Sequence, residues 1–180
     1  MCCPLGHRNS YNWHNPGRKA FHRFDKKSEE MEDQIQIKIV KTETEIDQCW
    51  DVAFLLRPHL KRDKWVSMVT EMMKNERYFI AGIFQDDKFA AFAGYRFMTS
   101  LHTGNIIYID DLCTLDAYRG KGFASRLIKY VREIARMNQL DALVLDTDFT
   151  NSSAQKVYLK SGFQLAALHL AAGLRGNEEL

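Results

Sequence analysis

The sequence predicts an α/β (α+β) domain in which a mixed central sheet is flanked by helices. Three observations carry that prediction. Strand-like alternation opens the ordered region at Ile35, Ile37 and Ile39. Two apolar runs, residues 78–84 and 88–99, flank the turn residues Gln85-Asp86-Asp87 and read as a β-hairpin. Beyond Thr114 the apolar spacing becomes helical at Phe123, Leu127, Ile128, Val131, Ile134 and Ala135. An order that mixes strands and helices in this way fits a layered domain.

Each element has its own signal. Thr44 opens a helix that shows Ile46, Cys49, Trp50, Ala53 and Phe54 on one face and stops at Pro58. A second helix, Arg62–Asn75, presents Trp65, Met68, Val69, Met72 and Met73. The hairpin follows, then a polar turn over 100–105 and a strand over 106–114. After the helix that begins near Phe123 come a short buried strand, Ala142–Leu145, a helix, Ser152–Lys160, stopped by Gly162, and a last strand over 163–170. The chain end is poor strand material, so a closing strand is expected to be short, absent or supplied by a second copy; monomer and homodimer both stay open.

Composition narrows the function classes. The 180 residues are 46% hydrophobic and 27% charged, an ordinary globular mixture, so general disorder is excluded. Residues 1–27 hold six Lys/Arg against Asp25 alone, a charge of +5, whereas the other 153 residues carry 19 against 22, a charge of −3. The expected organisation is therefore a basic tail over 1–34 and a mildly acidic domain over 35–180. An acidic body argues against broad nucleic-acid binding. The tail holds Cys2, Cys3, His7, His14 and His22, but their spacing fits no compact zinc pattern, and no metal is expected. No run is long and apolar enough to span a membrane, and the N-terminus lacks an apolar signal core. Four cysteines without a framework point to a reducing compartment, with cytoplasmic location expected.

The chemistry concentrates in one segment, Asp110-Asp111-Leu112-Cys113-Thr114, followed by Arg119-Gly120-Lys121-Gly122-Phe123-Ala124-Ser125. A strand ends, a loop turns, and a helix begins at two closely spaced glycines. Glycine there lets the backbone approach a ligand and aim several N–H groups outward. The helix dipole and Lys121 add positive charge, which suits a phosphate. The dipole alone is worth only ~0.3–1 kcal/mol, so several donors must act together. The segment matches neither a P-loop nor a dinucleotide fingerprint, because Gly120-Lys121-Gly122 lacks the first spacing and Ser125 breaks the second.

Arg119-x-x-Gly122-x-Ala124 resembles the [Q/R]-x-x-G-x-[G/A] loop of the GNAT superfamily of N-acetyltransferases. Asn151-x-x-Ala154-x-x-x-Tyr158-x-x-x-Gly162-Phe163 is similar to that superfamily's N-x-x-A-x-x-x-Y-x-x-x-G-F helix. The turn Leu56-Arg57-Pro58-His59-Leu60 and the strand Asp110-Asp111-Leu112 resemble a bacterial-type subgroup. The resemblance implies a GNAT-like acyl-CoA N-acyltransferase fold, with acetyl-CoA as cosubstrate in a V-shaped gap between the strand ending at Thr114 and Ala142–Leu145. The pyrophosphate would lie on backbone N–H groups from Gly120 to Ser125, and main-chain groups of Leu112 and Thr114 would pair with the pantetheine arm. Asn151 would reach the arm from the other side, and Arg119 would be structural or help hold the phosphates. A backbone N–H of Cys113 or Thr114 would stabilise the oxyanion.

The same resemblance implies direct transfer to an amine. Baring the lone pair of an alkyl ammonium at pH 7 costs about 4.6 kcal/mol, so a base is needed. Asp110, two residues before Leu112, where some members of the family place a base, is the candidate base; Tyr108 stands at the other position, where relatives often carry Glu, and Asp111 is expected on the opposite face. Tyr158 falls at the general-acid position, poised to protonate the leaving thiolate. Cys113 as an acyl acceptor lacks an activating histidine nearby in sequence. Asp110, Asp111, Asp146 and Asp148 would give an acidic mouth suited to a cationic amine: a polyamine, an amino sugar, a lysine side chain or a peptide amino terminus. Arg57 and His59 would instead suit an acceptor carboxylate. His169, near the end of the expected last strand, is a candidate substrate contact. The alternative to an enzyme is a non-catalytic acyl-CoA-binding regulatory module.

Overall fold

The computed structural model describes residues 35–85 and 88–172. The expected tail, the Asp86-Asp87 turn and the chain end after Ala172 lie outside the described residues. In chain order the elements are β1 (Gln36–Ile39), α1 (Glu43–Gln48), α2 (Trp50–Leu56), α3 (Arg62–Asn75), β2 (Tyr78–Gln85), β3 (Lys88–Ser100) and β4 (Gly104–Thr114). A 3₁₀ turn, Asp116–Tyr118, leads to α4 (Phe123–Met137), β5 (Ala142–Leu145) and α5 (Ser152–Lys160).

The five strands follow one another in the sheet in sequence order. β1 to β4 are antiparallel neighbours, and β5 pairs with β4 in parallel, so the sheet is mixed. Alternation along the strands feeds two cores. On one face Phe123, Leu127, Val131, Ile134 and Ala135 of α4 pack on Ala81, Ile83, Ala91, Ala93, Ile107 and Ile109. On the other face Ile46, Cys49, Val52, Trp65 and Val69 from α1 to α3 pack on Tyr78, Ile80, Phe92 and Cys113. Trp65 adds a buried N–H bond to the Ile46 carbonyl at 2.8 Å, which ties α3 to α1.

Two sequence expectations are corrected. The single helix opened by Thr44 is instead two helices, and its cap is Thr42. The Thr42 hydroxyl accepts from the Glu45 amide while Glu45 accepts from the Thr42 amide, a reciprocal capping box that Thr44 lacks. The break falls at Cys49, whose amide bonds to Ile46 at 3.0 Å while its thiol donates to the Glu45 carbonyl at 3.2 Å. A continuous helix would give that carbonyl to the Cys49 amide.

The last strand expected over 163–170 does not form; residues 163–172 carry no regular structure. Gly162, in the left-handed region at φ +84°, ends α5, and the Phe163 amide closes the turn on the Tyr158 carbonyl at 3.1 Å. The leucines that suggested a strand find no apolar face, and Leu165 and Leu170 are each 89% exposed. The alanine pair between them adds little strand preference.

Candidate active site

The gap comes from how β4 outlasts β5. Their pairing runs from Ile106 opposite Ala142 to Ile109 opposite Leu145 and stops there. β4 continues to Thr114, still paired with β3 on its other edge. From Asp110 to Thr114 the β5-facing edge of β4 therefore has no strand partner, and the main-chain groups of Leu112, Cys113 and Thr114 border a wedge closed at Ile109 and Leu145.

The open end of the wedge meets α4. Gly122 caps that helix in the left-handed region at φ +78°, and Gly120 precedes it at φ +79°. No side chain caps the helix, and among the described residues no acceptor takes the amides of Gly120 through Ser125. Four orphan donors at a helix start, with no Cβ on the glycines, are an arrangement able to receive an anion. Nothing lies within 4 Å of where a Cβ on Gly120 or Gly122 would stand, so the space before those amides is open. Phe123 is buried under the sheet and anchors this helix start from behind, while Ala124 is half-buried and Ser125 exposed. Lys121 reaches Gln85 at 3.4 Å and lies over the Tyr118 ring. Arg119 is exposed and pairs with Asp116 at 2.9 Å.

The closed end is charged. A β-bulge at Asp110 lets Gly94 pair with Asp111 and Tyr95 with Ile109, leaving Asp110 as the extra residue. The bulge shifts the phase of β4: Ile107 and Ile109 face α4, as Leu112 does beyond it, while Cys113 joins the opposite core. Asp111 does not turn away from Asp110 as alternation predicts; the two carboxylates sit close enough that Asp111 raises the Asp110 pKa. Arg96 lends its Nε to both oxygens of Asp110, at 3.0 and 2.9 Å, and its other end to Glu76 at 2.6 Å. Burial is the largest influence on Asp110 and raises its pKa against the opposing pull of Arg96. Asp111 takes Arg57 at 3.0 Å and the Tyr78 hydroxyl at 3.2 Å, so Arg57 is committed to β4 rather than open to an acceptor.

Gly94 makes the Tyr78 contact possible. A Cβ there would collide with the Tyr78 hydroxyl and lie 2.7 Å from Cζ. Gly94→Ala is therefore expected to cost about 1–3 kcal/mol, read as a lowered urea midpoint at unchanged m-value.

Past the wedge, Asn151 caps α5, its Oδ1 accepting from the Ala154 amide at 3.0 Å. Tyr158 is half-buried, its ring packs edge-on against Phe163, and its pKa is raised, first by burial and then by Cys113. Burial also raises the Cys113 thiol, which speaks for a small apolar side chain rather than a nucleophile. Asp146, directly after β5, accepts from the Tyr108 hydroxyl and meets His169 Nδ1 at 2.7 Å. Asp148 turns instead onto Thr150. The described residues hold no cluster of three metal-binding side chains and no helix long and apolar enough to cross a membrane. Sequence reasoning missed Arg96 and Glu76 as parts of this site, because only the β3–β4 register brings them to Asp110.

A mixed sheet that splays beside an uncapped, glycine-led helix start defines an acyl-CoA-dependent acyltransferase frame. The sequence model of the "Acetyltransferase (GNAT) family" matches residues 40–163, and the chain belongs to that family of acetyltransferases, whose cosubstrate is acetyl-CoA. An uncharacterized N-acetyltransferase, YhdJ, from Bacillus subtilis is 24% identical over 132 residues, covering 73% of this chain and 93% of its own. Aminoglycoside N(6')-acetyltransferase type 1 from Serratia marcescens is 29% identical over 82 residues, 43% of this chain and 56% of its own length. Among solved structures, aminoglycoside N-acetyltransferase AAC(6')-Iy in complex with CoA superimposes with a TM-score of 0.69 at 17% identity, over 78% of this chain and 96% of that one. A transcriptional regulator from Bacillus halodurans gives a TM-score of 0.70 at 19% identity, over 78% and 99%.

Proposed function

We propose that this chain moves the acetyl group of acetyl-CoA directly to a primary amine that carries positive charge. One observation carries the reading: the same wedge has free amide donors at its open end and carboxylates at its closed end. In it, the amides of Gly120 to Ser125 hold the diphosphate, with Arg119 and Lys121 as nearby cations. The unpaired edge at Leu112 and Thr114 receives the pantetheine arm as an added strand would be received. Asn151 Oδ1 already serves α5, so contact with the arm falls to its Nδ2. The Cys113 or Thr114 amide faces the oxyanion. Tyr158 donates to the departing thiolate. Asp110 draws the ammonium to the mouth and is the carboxylate the sequence nominates as base.

Asp110, Asp111, Asp146 and Glu76 outnumber Arg57 and Arg96 at the closed end, which favours polyamines, amino sugars or peptide amines over acidic acceptors. Four neighbouring structures, of the two proteins AAC(6')-Iy and meta-AAC0020, and one relative are aminoglycoside acetyltransferases by name, which agrees with a polyamino acceptor. Placement in the cytoplasm is part of the same reading, supported by the free thiols of Cys49 and Cys113.

The test is thiol release from acetyl-CoA across an amine panel. A diamine, an amino sugar and a basic peptide are expected to outpace a neutral amine carrying a carboxylate, with the preference shrinking as salt rises. CoA binding without thiol release for any amine would favour the regulatory module instead.

A further inference from the structure

We propose that His169 is the general base of the transfer, its imidazole oriented by Asp146, and that Asp146 is in turn held by Tyr108. The inference rests on the acetyl-transfer reading above and names the group that takes the acceptor's proton.

Three segments meet at one carboxylate oxygen. Tyr108 from β4 donates its hydroxyl to Asp146 Oδ2, and His169 Nδ1 lies 2.7 Å from the same atom. A carboxylate on Nδ1 fixes the proton there and leaves the Nε2 lone pair free. Among the described residues Nε2 has no partner. The Tyr108 phenol is held protonated by burial first and by its bond to Asp146 second, both raising its pKa, so it serves as donor and not as base.

Position and competition favour this histidine. The last β4–β5 pair is Ile109 with Leu145. Tyr108 and Asp146 are their immediate neighbours, so the cluster stands at the closed end of the wedge. A cofactor with its diphosphate on α4 and its arm along Thr114 and Leu112 points its acyl carbon toward that end. The other base on offer, Asp110, has both oxygens on Arg96 Nε. Asp146 after β5 meets His169 directly and Tyr108 on β4 meets Asp146; the further charges acting on Tyr108 are Asp110 on β4 and Arg96 on β3, which itself pairs with Glu76 before β2. His169 is 66% exposed on its side chain, which lets it return its proton to water after each turnover.

In the step, Nε2 takes one proton from R–NH3⁺ and becomes imidazolium. The freed nitrogen lone pair forms the C–N bond at the thioester carbonyl carbon. Collapse of the oxyanion breaks the C–S bond and sends its electrons to sulfur. The nitrogen loses its second proton to solvent, and the thiolate gains one from Tyr158, which solvent replenishes. One proton is released per amide formed.

The experiment uses the full chain with a diamine acceptor. His169→Ala is expected to lower kcat/KM about a hundredfold at pH 7, with unchanged acetyl-CoA affinity by calorimetry and partial rescue by added imidazole. The acid limb of the pH–rate profile should vanish with it. Asp146→Asn removes the carboxylate that orients the ring, so kcat/KM should fall with acetyl-CoA affinity unchanged. Nitrogen NMR of the unliganded protein should show Nδ1–H at His169, reverting toward Nε2–H in Asp146→Asn. An Nε2–H tautomer in the parent protein, or a kcat/KM and acid limb untouched by His169→Ala, overturns the base. No turnover with any amine sinks the transfer reading and the base with it, and is told apart from the base failing alone by the parent protein's own assay.

Discussion

Gly122→Trp is expected to weaken CoA binding by at least a hundredfold while leaving the chain folded. The glycine sits at φ +78° with nothing within 4 Å of a built Cβ. A side chain there pays a left-handed penalty of about 1–2 kcal/mol, but meets no neighbour inside the protein. The open space it fills is the approach to the amides that start α4. Losing two charge-assisted hydrogen bonds to a diphosphate, at about 1.5–3 kcal/mol each, gives a factor of a hundred or more. Gly122→Ala is the control, since it carries the strain without the bulk. Calorimetric titration of CoA into both, beside their melting curves, separates the two effects. Equal affinity in Gly122→Trp and Gly122→Ala would place the diphosphate somewhere else.

Tyr158→Phe is expected to lower kcat about ten- to a hundredfold with little change in CoA affinity. General acids contribute roughly 10²–10⁴-fold when the leaving group is poor. A thiolate, with a parent pKa near ~8.5, leaves more readily than an alkoxide, so the effect falls at or below the bottom of that range. Burial, and Cys113 after it, raise the phenol's pKa. It therefore stays protonated, the form an acid needs, throughout the neutral range and past its ordinary titration point. The kcat profile should show no basic limb from this group below about pH 10. Presteady-state thiol release and a CoA titration on the same variant distinguish lost proton transfer from lost binding. A variant that turns over at the parental rate would reduce Tyr158 to a packing residue.

Much of the frame was legible because the signals were local. The helix at Ser152, the strand Ala142–Leu145 and the helix start at Gly122 each carry their own cap, run or glycine, and each appears where the pattern put it. The free amides and open space at the start of α4 were legible for the same reason. What failed was decided by competition or by distance. Thr42 outbid Thr44 because only Thr42 has Glu45 three positions on. The face of Asp111 was misjudged because a bulge leaves no mark in the alternation of Ile107 and Ile109. Arg96 and Glu76 reach Asp110, and Tyr108 reaches Asp146, only through strand register. Their partners are too far apart in sequence for any spacing rule to join them.

The extra residue at Asp110 also changes how β4 has to be engineered. Upstream of it, odd positions such as Ile107 and Ile109 are the ones tucked beneath α4; downstream, the even position Leu112 takes over that duty. A randomised library that keeps one parity along the whole strand would scramble the interior on one side of the kink while believing it varied the mouth. Varying substrate preference without loss of foldability calls for changing step at this aspartate.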